Sequence, residues 1–188
     1  MDRILIVSGT KKGIEAISES LKACGYFDFD TQSSGSGARR RFLECEYDLV
    51  LINTPLPDEF GSDLAISITQ TNRTGVIMFV KAEMADSVSE NVEDFGVFVI
   101  QKPFTRQILF QGIKFVLATA KKISMINSEK MSLLKKVEDL KIVDRAKCAL
   151  IEHLKMTEKE AHRYIEKTAM DTRKTKREIA ESILAKYE

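Results

Sequence analysis

The chain has 188 residues, enough for one ordinary domain and a smaller unit, and its hydrophobic content of 44% can fill a sizeable core. The formal net charge is only +1, and Cys24, Cys45 and Cys148 are scattered without the spacing of a metal site. No apolar run approaches the length of a transmembrane helix or of a signal peptide core. The sequence therefore predicts a cytoplasmic protein with reduced thiols, no metal or other cofactor, and no membrane partner.

The small net charge conceals an asymmetry between the two parts of the chain. Residues 120–188 carry 17 Lys and Arg against 12 Asp and Glu, a net charge of +5, whereas residues 1–119 carry a net charge of −4. A basic C-terminal segment suits an anionic partner, although a solvated helical surface has a similar composition.

The first 104 residues alternate short apolar runs with amphipathic segments. Strands are predicted at Ile4–Val7, Phe27–Thr31, Asp48–Asn53, Val76–Val80 and Val97–Ile100. The segments between them predict helices around residues 14–21, 38–45, 65–68 and 86–95. This order predicts an α/β fold with a five-stranded parallel sheet that is covered by helices on both faces.

A long helical connector is predicted from Thr105 to Leu154, because this stretch contains no proline and only one glycine, Gly112. Apolar residues in it fit the a and d positions of a heptad repeat: Val116, Ile123, Ile126, Leu133, Val137 and Leu140. This seam predicts a coiled-coil homodimer, with Lys130 at an a position weakening the pair or setting its register. The alternative is a seam that folds back on its own chain.

Three helices separated by two short turns are predicted at the C-terminal end. Thr157 with Glu160, and Thr175 with Glu178, have the spacing of capping boxes that begin the last two helices. A buried apolar stripe is predicted on these helices at Leu150, Leu154, Ala161, Ile165, Ala169, Ile179 and Ile183.

The pattern from Val143 to Met170 resembles the ANTAR domain, the RNA-binding output module of bacterial transcription antitermination regulators. The matching residues are Val143, Asp144, Arg145, Ala146, Lys147, Leu150, Glu158, Ala161, Ala169 and Met170. The sequence departs from the family pattern at Cys148, Ile151 and His162, where a glycine, a methionine and an aromatic residue are usual.

The resemblance implies a surface that contacts RNA. Its candidate residues are Arg145, Ala146, Lys147, Ala161, His162, Arg163, Ala169, Met170, Arg173 and Lys174, with Lys176 and Arg177 nearby. The alanines have the alternative interpretation of tight helix packing, and Met170 that of a core residue. His153 is expected to be an isolated surface residue.

The strand order of the first part, with the segments Asp48–Asn53 and Lys102–Phe104, resembles the flavodoxin-like receiver domain of two-component response regulators. A receiver uses paired carboxylates after its first strand to hold Mg²⁺, and this chain has Ser8 and Gly9 there. Asn53 aligns with the phosphoacceptor aspartate, Val80 with the hydroxyl residue of the fourth strand, and Lys102 with the lysine of the fifth. The resemblance therefore implies a pseudo-receiver that does not accept phosphate at Asn53 and has no catalytic residue.

These observations predict a pseudo-receiver domain at residues 1–119, a coiled-coil connector at 120–142 and an ANTAR-like RNA-binding domain at 143–188, whose first helix continues the connector. By the resemblance, the dimer would bind RNA stem-loops in leader transcripts and act as an antitermination regulator. A sensor or other regulatory protein, a ligand or the expression level would supply its input. The alternatives are a DNA-binding helix-turn-helix regulator and an enzyme or phosphorelay member, and no catalytic set in the sequence supports the latter.

Overall fold

The computed structural model describes residues 2–70 and 74–187, and the chain divides into two compact units, Met1–Met125 and Ile126–Glu188. In the N-terminal unit the strands are β1 Ile4–Ser8, β2 Phe29–Gln32, β3 Leu49–Asn53, β4 Gly75–Lys81 and β5 Val97–Lys102. The helices between them are α1 Lys11–Ala23, α2 Gly35–Glu44, α3 Ser62–Thr69 and α4 Ala85–Val92. Three-residue 3-10 turns lie at either end of α4.

The five strands form one parallel sheet in the order β2-β1-β3-β4-β5, which confirms the predicted α/β fold. Side chains alternate between the two faces of each strand, so each face has its own apolar core. One core includes Leu5, Val50, Met78 and the helices α2, α3 and α4, and the other includes Ile6, Leu51, Phe79, the helix α1 and the following helix α5, Arg106–Leu154. Both faces are therefore covered, as parallel sheets require.

Local signals fix where α1 begins and ends. The side chain of Thr10 accepts a hydrogen bond from the backbone N–H of Gly13 and so satisfies a free donor of the first turn. Gly25, two residues after the helix, adopts a left-handed φ of +87°, which costs a glycine little. Gly25 therefore follows the helix in the conformation typical of a C-terminal glycine cap.

The predicted long helix is also present, as α5 Arg106–Leu154. Its first turns belong to the N-terminal unit, where Leu109, Ile113 and Val116 are buried against the sheet. Val116 is only 6% exposed, and a Cβ on Gly75 would lie 2.3 Å from one of its methyl groups. The assignment of Val116 to a dimer seam is therefore wrong, because its side chain is already used in the core of its own chain.

The C-terminal unit contains the rest of α5 with α6 Glu158–Thr172 and α7 Lys176–Tyr187. Thr157 and Glu160 form the predicted capping box, and the Glu178 carboxylate likewise accepts hydrogen bonds from the backbone N–H and hydroxyl of Thr175. The core consists of Val143, Ala146, Ala149, Leu150, Ala161, Ile165, Ala169, Ile179, Ala180, Ile183 and Leu184. Leu154, predicted to be in this core, is exposed because α5 ends at that residue.

Candidate functional site

A hydrogen-bonded network joins the carboxyl ends of β1, β3 and β5 in the N-terminal unit. Ser8 and Asn53 are paired in register, and the Asn53 amide donates to Ser8 Oγ over 3.0 Å. The Lys102 ammonium donates to Asn53 Oδ1 over 2.9 Å and to the carbonyl of Thr54 over 2.6 Å. Within the described residues, no carboxylate bonds to Ser8, Asn53 or Lys102, so the amide and the ammonium satisfy each other.

Close packing leaves little room for larger side chains around this network. A Cβ on Gly9 would lie 2.7 Å from Pro57 Cδ, and one on Gly13 would lie 2.4 Å from Ser8 Oγ and 2.6 Å from Asn53 Nδ2. Real Cβ atoms do not approach other heavy atoms so closely. The loop after β1 therefore could not carry an acidic residue at position 9 without displacing Pro57.

Lys81, not Val80, is the residue of β4 that lies at this edge. Lys81 pairs in register with Lys102. Burial lowers the pKa of the Lys102 ammonium, and the charge of Lys81 lowers it further. Val80 is fully buried among the side chains of the opposite face. The assignment of Val80 to the hydroxyl position is corrected accordingly, since side chains alternate along a strand.

An acidic residue of the loop after β3 is used elsewhere. Asp58, in the loop after β3, accepts hydrogen bonds of 2.9 Å from the backbone N–H groups of Gly35 and Ser36 at the start of α2. These bonds lower the pKa of Asp58 to about 2. Across residues 2–70 and 74–187, no group of three His, Cys, Asp or Glu side chains is placed to hold a metal ion.

Most of the predicted RNA-contact residues of the C-terminal unit fall into three groups. Ala146, Ala161 and Ala169 form the first group, and they are buried in the core between α5, α6 and α7. They allow the helices to pack closely, so their assignment as RNA contacts is wrong.

The second group is partly exposed but engaged in ion pairs. Lys147 is 16% exposed at its side chain and pairs with Asp144 over 2.7 Å and with Glu158 over 3.4 Å, and these carboxylates raise its pKa. His162 Nε2 lies 3.3 Å from a Glu166 oxygen that also pairs with Lys176. Arg177 similarly bonds to Asp139 and Glu181. Their charges are largely balanced within the unit.

The third group forms an exposed cationic stripe on the outer face of α6, made of Lys159, Arg163 and Lys167 with Met170 beside them. The three cations follow one another at i, i+4 spacing, which brings their Cβ atoms to about 5–6 Å from each other. In the part of the chain that the structure describes, no carboxylate pairs with any of the three. Met170 is 79% exposed. The sequence prediction named Arg163 and Met170 but missed Lys159 and Lys167.

Basic residues continue past the end of α6. Arg173 has a left-handed φ of 53° and ends the helix, and its backbone N–H bonds to the carbonyls of Ala169 and Met170. Lys174 follows on the surface. The hydrogen bonds from Thr175 lower the pKa of the Glu178 carboxyl, and the charge of Lys174 lowers it further. Arg145 lies on a different surface, where it lines a groove between α5 and α7.

Comparison with known proteins agrees with this architecture. The family model of the ANTAR domain matches residues 132–184. Two curated relatives, the transcriptional regulatory protein PdtaR of Mycobacterium tuberculosis strains CDC 1551 and H37Rv, are each 28% identical over 169 residues, which are 89% of this chain and 82% of PdtaR.

Solved structures show the fold of the N-terminal unit. A response regulator receiver domain protein from Clostridium thermocellum is 22% identical with a TM-score of 0.59, covering 65% of this chain and 99% of its own. A CheY-like receiver domain protein from Methanospirillum hungatei is 22% identical with a TM-score of 0.56, covering 65% of this chain and 98% of its own.

The N-terminal unit has the fold of receiver domains, and residues 132–184 match the ANTAR domain. The chain is similar to the transcriptional regulatory protein PdtaR over most of its length. None of the helices described in residues 2–70 and 74–187 is long and apolar enough to cross a membrane.

Proposed function

We propose that this protein is a dimeric RNA-binding transcription antitermination regulator. The observation that carries the proposal is the exposed cationic stripe Lys159, Arg163 and Lys167 on α6, within the segment that matches the ANTAR domain. These three cations lie on one helix face and pair with no carboxylate of the described residues, so they can bind successive phosphates of a nucleic acid. The partner is RNA rather than DNA because the ANTAR domain is an RNA-binding output module.

Binding by this surface would combine two contributions. Phosphate contacts from the stripe give affinity that depends on salt but not on sequence. Sequence is read from exposed loop bases, because the deep groove of A-form RNA is closed to side chains. Met170 and the half-exposed ring of His162 are the residues placed to contact such bases. A bound stem-loop would be stabilised against a competing terminator hairpin in the same leader transcript.

The dimer in this proposal forms through α5. Ile123, Ile126, Leu133, Val137 and Leu140 expose their side chains in one stripe at heptad spacing. Five exposed large apolar residues on one helix face are costly in water, and a second copy of the same helix would cover them. Lys130 interrupts the stripe at an a position, which weakens the pair but restricts its register.

The N-terminal unit is proposed to be a pseudo-receiver. An amide at Asn53 is not a nucleophile toward a phosphoryl group, and neither Ser8 nor Gly9 supplies a carboxylate for Mg²⁺. The Lys102 ammonium donates hydrogen bonds to Asn53 and to the Thr54 carbonyl, so its partners lie within its own chain. Its input would then be a sensor or regulatory protein that binds the unit.

The stripe is tested by measuring how binding of a hairpin RNA depends on salt. The double variant Arg163→Gln, Lys167→Gln removes two of the three cations, so the slope of log affinity against log salt should decrease by about 1.4–1.8. The matched control is Lys11→Gln, Lys12→Gln, which removes two exposed charges from the start of α1 and should leave the slope unchanged. Circular dichroism checks that both variants keep their helix content.

A duplex DNA of equal length is the second arm of the experiment. Binding of duplex DNA as tightly as hairpin RNA at physiological salt would replace the antitermination proposal with a DNA-binding helix-turn-helix regulator. An unchanged salt slope in the stripe variant would show that the RNA contacts lie elsewhere.

A further inference from the structure

A second surface of the C-terminal unit has the features of a ligand site. It is a groove of about 590 Å³ between α5 and the end of α7, within the size range of small-molecule sites. Lys141 and Arg145 line it along α5, followed by Glu152 and His153, and Tyr187 forms the opposite wall. None of these residues belongs to the stripe on α6.

The aromatic part of the groove is already ordered. The rings of His153 and Tyr187 stack with their centroids 5.3 Å apart and an interplanar angle of 18°. Tyr187 is partly buried against the core of the unit, which fixes the position of this flat surface. Bases of single-stranded RNA bind proteins by stacking on such rings.

The charged residues of the groove are arranged along its length. Asp144 also lines it, but its carboxylate pairs with Lys147 over 2.7 Å, so its charge is balanced. Lys141 lies as a cation at one end of the groove, and Glu152 lies as an acceptor near the rings. In the described residues, neither Lys141 nor Glu152 has an ion-pair partner. A nucleotide offers the complementary set: an anionic phosphate, a flat ring and amino groups that donate hydrogen bonds.

We infer that this groove binds one unstacked base of the RNA loop, with the base against His153 and Tyr187, its amino group toward Glu152 and its phosphate toward Lys141. The inference rests on the proposed RNA-binding function and adds to it a residue set that determines loop preference. The stripe on α6 then supplies affinity, and the groove supplies selection among loops.

The test uses the full chain and a pool of hairpin RNAs with a fixed stem and a randomised loop. Sequencing the retained RNA gives the loop preference, and the retained fraction gives the overall affinity. Tyr187→Leu removes the stacking ring, so preference for the enriched loops should fall about tenfold or more, while retention of the pool changes little. Glu152→Gln should change which bases are enriched, because an amide both donates and accepts hydrogen bonds.

Two further variants keep the result interpretable. Tyr187→Phe keeps the ring and the packing and should keep the loop preference, which separates stacking from folding. Phe27→Leu removes an exposed aromatic ring from the N-terminal unit and should have no effect. If Tyr187→Leu changes helix content, Glu152→Gln on the exposed surface of α5 decides the matter.

The outcomes distinguish the groove from the function on which it depends. If the wild-type chain retains no hairpin RNA, both the proposed function and the groove inference fail. If the wild type selects loops and both Tyr187→Leu and Glu152→Gln select the same ones, the groove inference fails while the function stands. Retention without any loop preference in the wild type also refutes the groove.

Discussion

Dimerisation through α5 can be tested by placing charge in the exposed seam. Leu133 and Val137 are one turn apart on this helix and are 54% and 50% exposed in the single chain. We expect Leu133→Glu together with Val137→Glu to convert the dimer to monomers. Neither residue belongs to the core of either unit, so both units should stay folded.

The expected size of the effect follows from these exposures. Complete burial of a leucine or valine side chain is worth about 1.5–3 kcal/mol, so burying the exposed half of each is worth about 1 kcal/mol. Two residues in each of two chains give about 4 kcal/mol, which is about a thousandfold in the dissociation constant. Desolvation of the four introduced carboxylates, or separation of the helices to avoid it, adds to this loss.

Light scattering coupled to size-exclusion chromatography measures the result at micromolar chain concentration. The matched control is Phe27→Glu with Leu43→Glu, which adds the same two charges at apolar residues that are 65% and 89% exposed on the N-terminal unit. This control should remain a dimer, because its substitutions lie outside the seam. Circular dichroism of both variants should match that of the wild type.

Two results would refute the reasoning. A wild-type chain that is monomeric at micromolar concentration would show that the exposed stripe is not a dimer seam. A Leu133→Glu, Val137→Glu variant that remains dimeric would place the interface on another surface. Dissociation of the control as well would assign the effect to added charge.

Three other predictions concern the N-terminal unit. Asn53→Asp, like the wild type, should not be labelled by acetyl phosphate with Mg²⁺, because position 9 still lacks a carboxylate; a stoichiometric mass increase of about 80 Da in the intact protein would contradict the pseudo-receiver. Gly13→Ala should lower the free energy of unfolding in urea by about 1–3 kcal/mol, although helix interiors favour alanine, because its Cβ would overlap Ser8 and Asn53; equal or greater stability would contradict the close packing. The pKa of Asp58 is about 2 in the folded chain against an ordinary 3.8, so its carboxylate stabilises the fold fully above pH 3.8 and this contribution is lost as the pH falls through about 2. Asp58→Asn should therefore flatten the decrease of the thermal midpoint between about pH 4 and pH 2, and a curve parallel to the wild type would exclude this role.

Much of the fold was predictable because local signals and tertiary structure agree. Short apolar runs became buried strands, and the two Thr-x-x-Glu sequences became helix starts with the expected hydrogen bonds. The uninterrupted stretch without proline became one helix from Arg106 to Leu154. In each case the residues that determine the element lie within the element or directly before it.

The errors arose where a position depended on neighbours that the sequence does not show. Val80 and Lys81 are adjacent in β4, so their side chains lie on opposite faces of the sheet. An alignment that is wrong by one residue therefore selects a core residue in place of the residue at the site. A family pattern does not separate residues that pack from residues that bind, and Ala146 and Ala161 proved to be packing residues. His153 and Tyr187 are distant in sequence, so their stacking became visible only in the structure.

The cationic stripe is a different case, because its signal was present in the sequence. Lys159, Arg163 and Lys167 recur at four-residue spacing, and that spacing alone places them on one helix face. What the sequence did not show is which basic residues have acidic partners. Lys147 and Lys176 form such ion pairs, so their charges are less available to RNA. The stripe is the better candidate because, within the described residues, its three cations form no ion pair.

The bonds from Lys102 to Asn53 and Thr54 have a consequence for how any signal can act on the N-terminal unit. They are made by groups of the chain itself, so the conformation that contains them needs no covalent change to persist. An input that works by binding can shift this state only through its preference for another one. Converting a population of 1:99 to 99:1 requires about a 10⁴-fold difference in affinity between the two conformations, or about 5.5 kcal/mol. Such a difference calls for a partner with an extensive interface rather than a single weak contact.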